Sequence, residues 1–306
     1  MESARKLMTP PWLAALLDGE AVDGAPARDW RLFEVSSDFG QQAAQGHIPG
    51  AGYLDTHDFE SGPLWNKVPD AALMRVLLEH GIRCDTPVLL YGRNPLCAAR
   101  VAHLMLYAGV RDVRLLDGGF AAWLRAGLQV AMGAPRRYPS AKDFGSHFPA
   151  RPGYLVGMDR VRGILDGDEG VLVSIRSRGE FTGQISGYKY ISARGEIPGA
   201  RWGHAGRDGD VNSMSDFHRP DGTMKPAAEI QAFWSAAGIH ADQPVTFYCG
   251  TGWRASLAFF YAWVMNWERI SVYDGGWLEW SSHPGNAGVA SGDGERENDR
   301  HQREYS

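Results

Sequence analysis

The chain has 306 residues, 44% of them hydrophobic and 22% charged, with a formal net charge of -5. That length accommodates two domains of ordinary size, and that composition can bury real cores and is not that of a disordered chain. A negative balance without any long basic run argues against nucleic acid and against anionic membrane as partners.

Residues 1–17 carry no basic segment followed by a long apolar core. Thr9-Pro10-Pro11 ahead of Trp12-Leu13-Ala14-Ala15-Leu16-Leu17 predicts a short capped helix instead. A strand is expected over 31–35, a helix over 69–80 closed by Gly81, a strand over 87–91 and a helix over 98–107. A strand over 113–116 and a helix over 120–125, ended by Gly127, follow. Residues 132–152, with Pro135, Pro139, Pro149 and Pro152, lack periodicity and read as a linker. Strands are then expected over 171–175, 245–248 and 270–273, with helices over 227–237 and 254–265. The polar residues 291–306 are expected to be disordered. Short apolar strands separated by helices imply an α/β fold with parallel sheets covered on both faces. The expected division is 1–133, a linker over 134–152, a second domain over 153–290 and the tail. Three cysteines, Cys84, Cys97 and Cys249, are too few for a disulfide framework, and no two are spaced as metal ligands. No metal or cofactor is expected. No stretch reaches membrane-spanning length, so the expected location is the cytoplasm.

The halves repeat each other. His47-Ile48-Pro49-Gly50-Ala51 answers Glu196-Ile197-Pro198-Gly199-Ala200, an offset of 196 − 47 = 149. Val88-Leu89-Leu90-Tyr91 answers Val245-Thr246-Phe247-Tyr248, and Leu116-Asp117-Gly118-Gly119 answers Tyr273-Asp274-Gly275-Gly276, both at 248 − 91 = 157. Three landmarks in the same order identify a duplicated unit.

The most informative segment is Cys249-Gly250-Thr251-Gly252-Trp253-Arg254. It places a thiol after a buried strand and before a helix, among N–H groups that no helical carbonyl satisfies. Such donors and the helix dipole favour the charged, nucleophilic sulfur. Gly250 and Gly252 are expected to turn successive N–H groups toward one point. A lone cysteine is more often simply buried, but strand, cysteine, two glycines, arginine and helix in that order point to a cradle for an anionic sulfur.

Over about 9–284 the chain resembles the tandem rhodanese sulfurtransferases, on the Ile-Pro-Gly-Ala turns, the six-residue cysteine loop and Tyr273-Asp274-Gly275-Gly276-Trp277. The resemblance implies two rhodanese-like domains, each a parallel sheet flanked by helices. It implies a ping-pong reaction in which Cys249 takes a sulfane sulfur from a small-molecule donor such as thiosulfate. Cyanide, a thiol or a protein sulfur acceptor then removes it. Gly250, Thr251, Gly252 and Trp253 would hold the persulfide, with Arg254 as a fixed charge for a dianionic donor. Arg176 matches a family arginine that contacts anionic substrate, with a pairing role beside Glu180 as the alternative, and Ser174 replaces a common family aspartate. In the first half, Gly92 stands at the cysteine position (249 − 157 = 92), Pro95 removes one N–H, and Cys97 falls on the helix start. The first domain is therefore expected to be catalytically silent and to form one wall of the cleft.

Mercaptopyruvate-specific members use an Asp and a His from the first domain; His57 and Asn66 stand near those places, which disfavours that donor without removing it. Trp65, Trp202 and Trp253 are candidates for an apolar cleft wall. Related phosphatases carry five residues between cysteine and arginine. The four here suit sulfur better than phosphate. A non-catalytic docking or sulfur-relay module is the reading from another class.

Overall fold

The computed structural model describes residues 6–27 and 29–290; the expectation for 291–306 lies outside the described residues. The first half runs β1 (Leu7–Met8), α1 (Pro10–Leu17), β2 (Arg31–Ser36), α2 (Phe39–Gln45), β3 (Gly52–Asp55), β4 (Glu60–Ser61), β5 (Asn66–Lys67), α3 (Asp70–Glu79), β6 (Val88–Tyr91), α4 (Pro95–Ala108), β7 (Val113–Leu116) and α5 (Gly119–Arg125). The second runs β8 (Leu155–Val156), α6 (Met158–Leu165), β9 (Val171–Ser174), α7 (Arg178–Phe181), β10 (Arg194–Gly195), β11 (Arg201–Trp202), α8 (Ala227–Ala236), β12 (Val245–Tyr248), α9 (Trp253–Val264), β13 (Ile270–Tyr273), α10 (Gly276–Ser282) and β14 (Val289–Ala290).

Strands such as β6 and β12 are buried at every position, as continuous apolar runs require when helices cover both faces. They form two five-stranded sheets, β1-β7-β6-β2-β3 and β8-β13-β12-β9-β11, with the same relative order and every pair parallel. The duplication seen in the motifs is thus a duplication of topology. In such sheets ligands bind beyond the carboxyl ends of the strands, where the loops after β6 and β12 lie.

The two halves meet through their equivalent helices, α4 and α9, which pack against each other. Every α4 residue from Leu96 to Ala108 is buried, as for a helix enclosed on all sides. His103 packs its ring 4.5 Å from that of Phe259, with Nε2 2.9 Å from the Tyr154 carbonyl oxygen and Nδ1 3.3 Å from Ser256 Oγ. Burial, helped by the Arg100 charge, pushes His103 down to about 3, so it stays neutral at this seam.

Several elements differ from expectation. The helix expected over 98–107 begins at Pro95, because Asn94 Oδ1 accepts the Leu96 N–H at 3.0 Å and proline is compatible with the first helical position. The hairpin of β4 and β5 and the short strands β1, β3 and β11 give too few residues for a period to register. The segment over 132–152 has no helix or strand up to Arg151, as expected, but it is fastened to the first half. Arg136 N–H donates to Ala51 O at 2.9 Å, Cys84 N–H to Phe144 O at 2.9 Å, and Ala150 N–H to Ala108 O at 3.0 Å. No helix among the described residues is long and apolar enough to cross a membrane.

Candidate active site

β12 ends at Tyr248, and Cys249 begins the loop that turns into α9. Cys249 is 2% exposed, yet it lines a cleft of about 490 Å³ between the two halves. Gly252 N–H points at Sγ with a separation of 3.2 Å. The first bond back into the loop from the helix is Ser256 N–H to Gly252 O, at 2.8 Å. The N–H groups of Trp253, Arg254 and Ala255 therefore have no helical carbonyl behind them.

The two loop glycines have different jobs. Gly252 adopts φ +98°, the left-handed region that turns its N–H inward. Gly250 has no such angle. A Cβ there would lie 2.2 Å from Tyr188 Cζ, so glycine is needed for the approach of that ring. The Tyr188 hydroxyl accepts the Gly250 N–H at 2.9 Å and a hydrogen bond from Arg254. Gly250→Ala is expected to displace the loop or the ring and to lower kcat/KM about a hundredfold, since small misplacements of reacting groups cost that much. Steady-state sulfur transfer at unchanged thermal stability checks it; an unaltered kcat/KM would contradict it.

The Asp-Gly-Gly landmark also acquires a function. Trp277 N–H donates to Cys249 O at 2.7 Å and Leu278 N–H to Gly250 O at 3.0 Å, so α10 clamps the loop. A Cβ on Gly276 would meet both carbonyl oxygens at 2.6 Å. The first half repeats the clamp, with Phe120 N–H on Gly92 O at 3.0 Å. Its loop has no room for a nucleophile. A Cβ on Gly92 would sit 2.5 Å from Asn94 O, and the space over that loop is about 20 Å³. Cys97 is buried, and burial pushes its thiol up to about 12. Iodoacetamide at neutral pH is therefore expected to label Cys249 and leave Cys97 unmodified in peptide mass spectrometry; equal labelling would contradict the silent loop.

The two arginines expected at the site are both held by carboxylates. Arg254 lines the cleft, but it is 1% exposed and both Nη atoms bind Glu180, at 2.8 and 2.8 Å. Burial works to raise the Glu180 carboxyl, but hydrogen bonds and charge from Arg254, then Arg176, outweigh it and hold the group below its ordinary value. Arg254 is thus a buried, bidentate partner that locks α9 to α7. Glu180 also closes the capping box of α7 with Ser177. Arg176 does not line the cleft. It is fully buried, donates to Gly195 O at 2.8 Å, approaches Glu196 at 3.4 Å and Glu180 at 3.8 Å, and lies 4.8 Å over the Trp277 ring. Ser174 Oγ completes that network on Glu196 at 2.6 Å.

Trp65, Trp253 and Thr251 line the cleft, as does His57, whose Nδ1 is 2.7 Å from Asp55 Oδ1. Trp202 does not; it stacks on His204 at 3.7 Å. Glu60, Tyr188 and Tyr190 were missed. Glu60 sits on the short hairpin, and Tyr188-Lys189-Tyr190 lies in an irregular loop whose paired tyrosines are the one signal available. Among the described residues, no group of three or more His, Cys, Asp or Glu side chains is placed to hold a metal ion.

The rhodanese-like domain family matches residues 9–126 and again 158–283. The chain is 53% identical to the thiosulfate sulfurtransferase YnjE of Escherichia coli over 288 residues, covering 94% of this chain and 66% of the relative. The crystal structure of YnjE superposes with a TM-score of 0.89, covering 94% of this chain and 68% of that one. The chain therefore spans about two thirds of that relative's length. A sulfur carrier protein of Thermus thermophilus, TtuD, is 30% identical, with 82% of this chain and 88% of the relative covered. The anaerobic ergothioneine biosynthesis enzyme of Chlorobium limicola, solved with trimethyl histidine, is 36% identical with a TM-score of 0.88, covering 95% of this chain and 71% of that one. With both halves matched and both sheets in place, the chain belongs to the rhodanese-like family as a tandem-domain sulfurtransferase.

Proposed function

We propose that this protein moves a sulfane sulfur from thiosulfate to cyanide or a thiol through a persulfide on Cys249. The Cys249 thiolate attacks the outer sulfur of thiosulfate. A new S–S bond forms, the S–S bond of the donor breaks, and sulfite leaves with the electron pair. The acceptor then attacks the outer sulfur of the persulfide and returns Cys249 as thiolate. The observation that carries this reading is the Gly252 N–H aimed at Sγ from a helix start, at the floor of an accessible cleft. With Arg254 neutralised by Glu180, the loop N–H groups and the α9 dipole are left to stabilise the anions. Thiocyanate formation from thiosulfate and cyanide tests it, with 3-mercaptopyruvate as the competing donor; turnover with mercaptopyruvate alone would replace thiosulfate as the donor. Three free thiols, Cys84, Cys97 and Cys249, support a reducing compartment such as the cytoplasm.

A second reading, a larger organic acceptor, is favoured by the cleft and by two side chains. In structures of the ergothioneine enzyme with hercynine or ergothioneine, the replaced residues include a tyrosine 59 residues before the persulfide cysteine and a threonine two after it. Tyr190 and Thr251 stand at those spacings from Cys249 (249 − 190 = 59; 251 − 249 = 2), and both line the cleft.

A further inference from the structure

The cleft is far larger than its simplest substrates need. Thiosulfate and cyanide are a few atoms each, whereas about 490 Å³ is the size of a pocket for a metabolite. Its walls are aromatic and come from both halves. Trp65 and His57 stand edge to face at 6.0 Å on the first, and Tyr188 and Tyr190 at 5.6 Å on the second. Trp65 holds φ +57°, a conformation costly for a bulky residue. Strain of that kind persists where a side chain must be aimed. Tyr190, at 56% exposed, is open to a ligand face.

The charge in the cleft is unusual for an enzyme of anions. The one arginine in its lining is engaged by Glu180 through both Nη atoms. Glu60, 3% exposed, comes from the hairpin that also carries Trp65. Its Oε1 accepts Trp253 Nε1–H at 2.6 Å and its Oε2 accepts Arg100 Nε–H at 3.0 Å. Arg100 is shared with Asp274, at 2.6 Å. Two carboxylates around one guanidinium leave this cluster net negative. Burial raises the Glu60 carboxyl despite Arg100 and Trp253, so a further cation nearby would relieve it.

We propose that the cleft in front of Cys249 contains a subsite for an organic cation, a quaternary ammonium group carried by the sulfur acceptor, with Glu60 as its counter-charge and Trp65 and Tyr190 as its ring faces. The silent first domain thereby supplies the selectivity, because Glu60 and Trp65 both belong to it. Aromatic faces attract such cations through their quadrupoles, and the attraction grows when the site is desolvated. The proposal rests on the Cys249 site being the place of acceptor binding, but its test needs no sulfur chemistry.

The full-length Cys249→Ser protein is titrated with choline and with 3,3-dimethyl-1-butanol, its neutral isostere, following tryptophan fluorescence. Choline is expected to bind at least about tenfold tighter than the isostere, a ratio ascribed to charge because shape and apolar area match. Glu60→Gln and Trp65→Leu are each expected to erase that preference, with far-ultraviolet circular dichroism confirming the fold. Should Glu60→Gln not fold, Trp65→Leu decides, since its ring is partly exposed at the cleft wall rather than part of the core. Equal binding of the two probes, no binding of choline, or a preference that survives the folded variants would overturn the proposal. Thiosulfate loading of native Cys249 is scored separately, so loss of the sulfurtransferase reading and loss of the subsite are distinguishable.

Discussion

Replacing Cys249 with Ser is expected to abolish sulfur transfer by several orders of magnitude, because no other side chain can take its part in the covalent cycle. The first-half loop offers Gly92 without space for a side chain, and its thiol at Cys97 is buried with its titration pushed up to about 12. Cys97→Ser is accordingly expected to keep near-native kcat. Thiocyanate production by the two variants, side by side, checks both halves of this statement. Retained turnover in Cys249→Ser would put the chemistry elsewhere.

Arg254→Ala is expected to act on the fold before it acts on the donor. The substitution leaves Glu180 as a buried carboxylate without its bidentate partner, and breaking one member of such a pair costs about 3–5 kcal/mol. It also removes a hydrogen bond to Tyr188, the hydroxyl that receives Gly250 N–H, so the loop loosens with the helix. The pH dependence has a definite sign. Glu180 is held below its ordinary value in the folded protein, so its contribution is complete above the ordinary carboxylate range and fades as pH falls through the folded value. Arg254→Ala should remove that acid-side loss together with the stability itself. Urea unfolding at neutral and acid pH measures this. An unchanged midpoint with only a raised KM for thiosulfate would restore Arg254 as an open donor-binding charge.

Local patterns in the chain are legible from sequence, and long-range partners are not. The cysteine loop, the duplicated landmarks and the glycine at the first half's cysteine position were legible, because each is a local pattern of residue types at fixed spacing. The partner of a charge is not. Arg254 looks like a free cation at a helix start until Glu180, 74 residues earlier, is brought against it. Arg176 looks like a substrate contact until Glu196 and Gly195 enclose it. Gly250 was read as a source of backbone freedom, whereas the ring of Tyr188, 62 residues away, is what excludes a side chain there. Glu60 was invisible for the same reason: its hairpin is two residues per strand, and its partner Trp253 lies 193 residues on. The Gly-Gly pair after β13 is visible in sequence as a repeat, but its role as the clamp on the cysteine loop follows only from the carbonyl oxygens it must approach.

Intact-protein mass spectrometry after mixing with thiosulfate reads the persulfide on Cys249 most directly. A gain of one sulfur atom is expected, located by peptide mapping on Cys249, lost on adding cyanide and absent from Cys249→Ser. No added sulfur, or sulfur carried on Cys97 or Cys84, would contradict it.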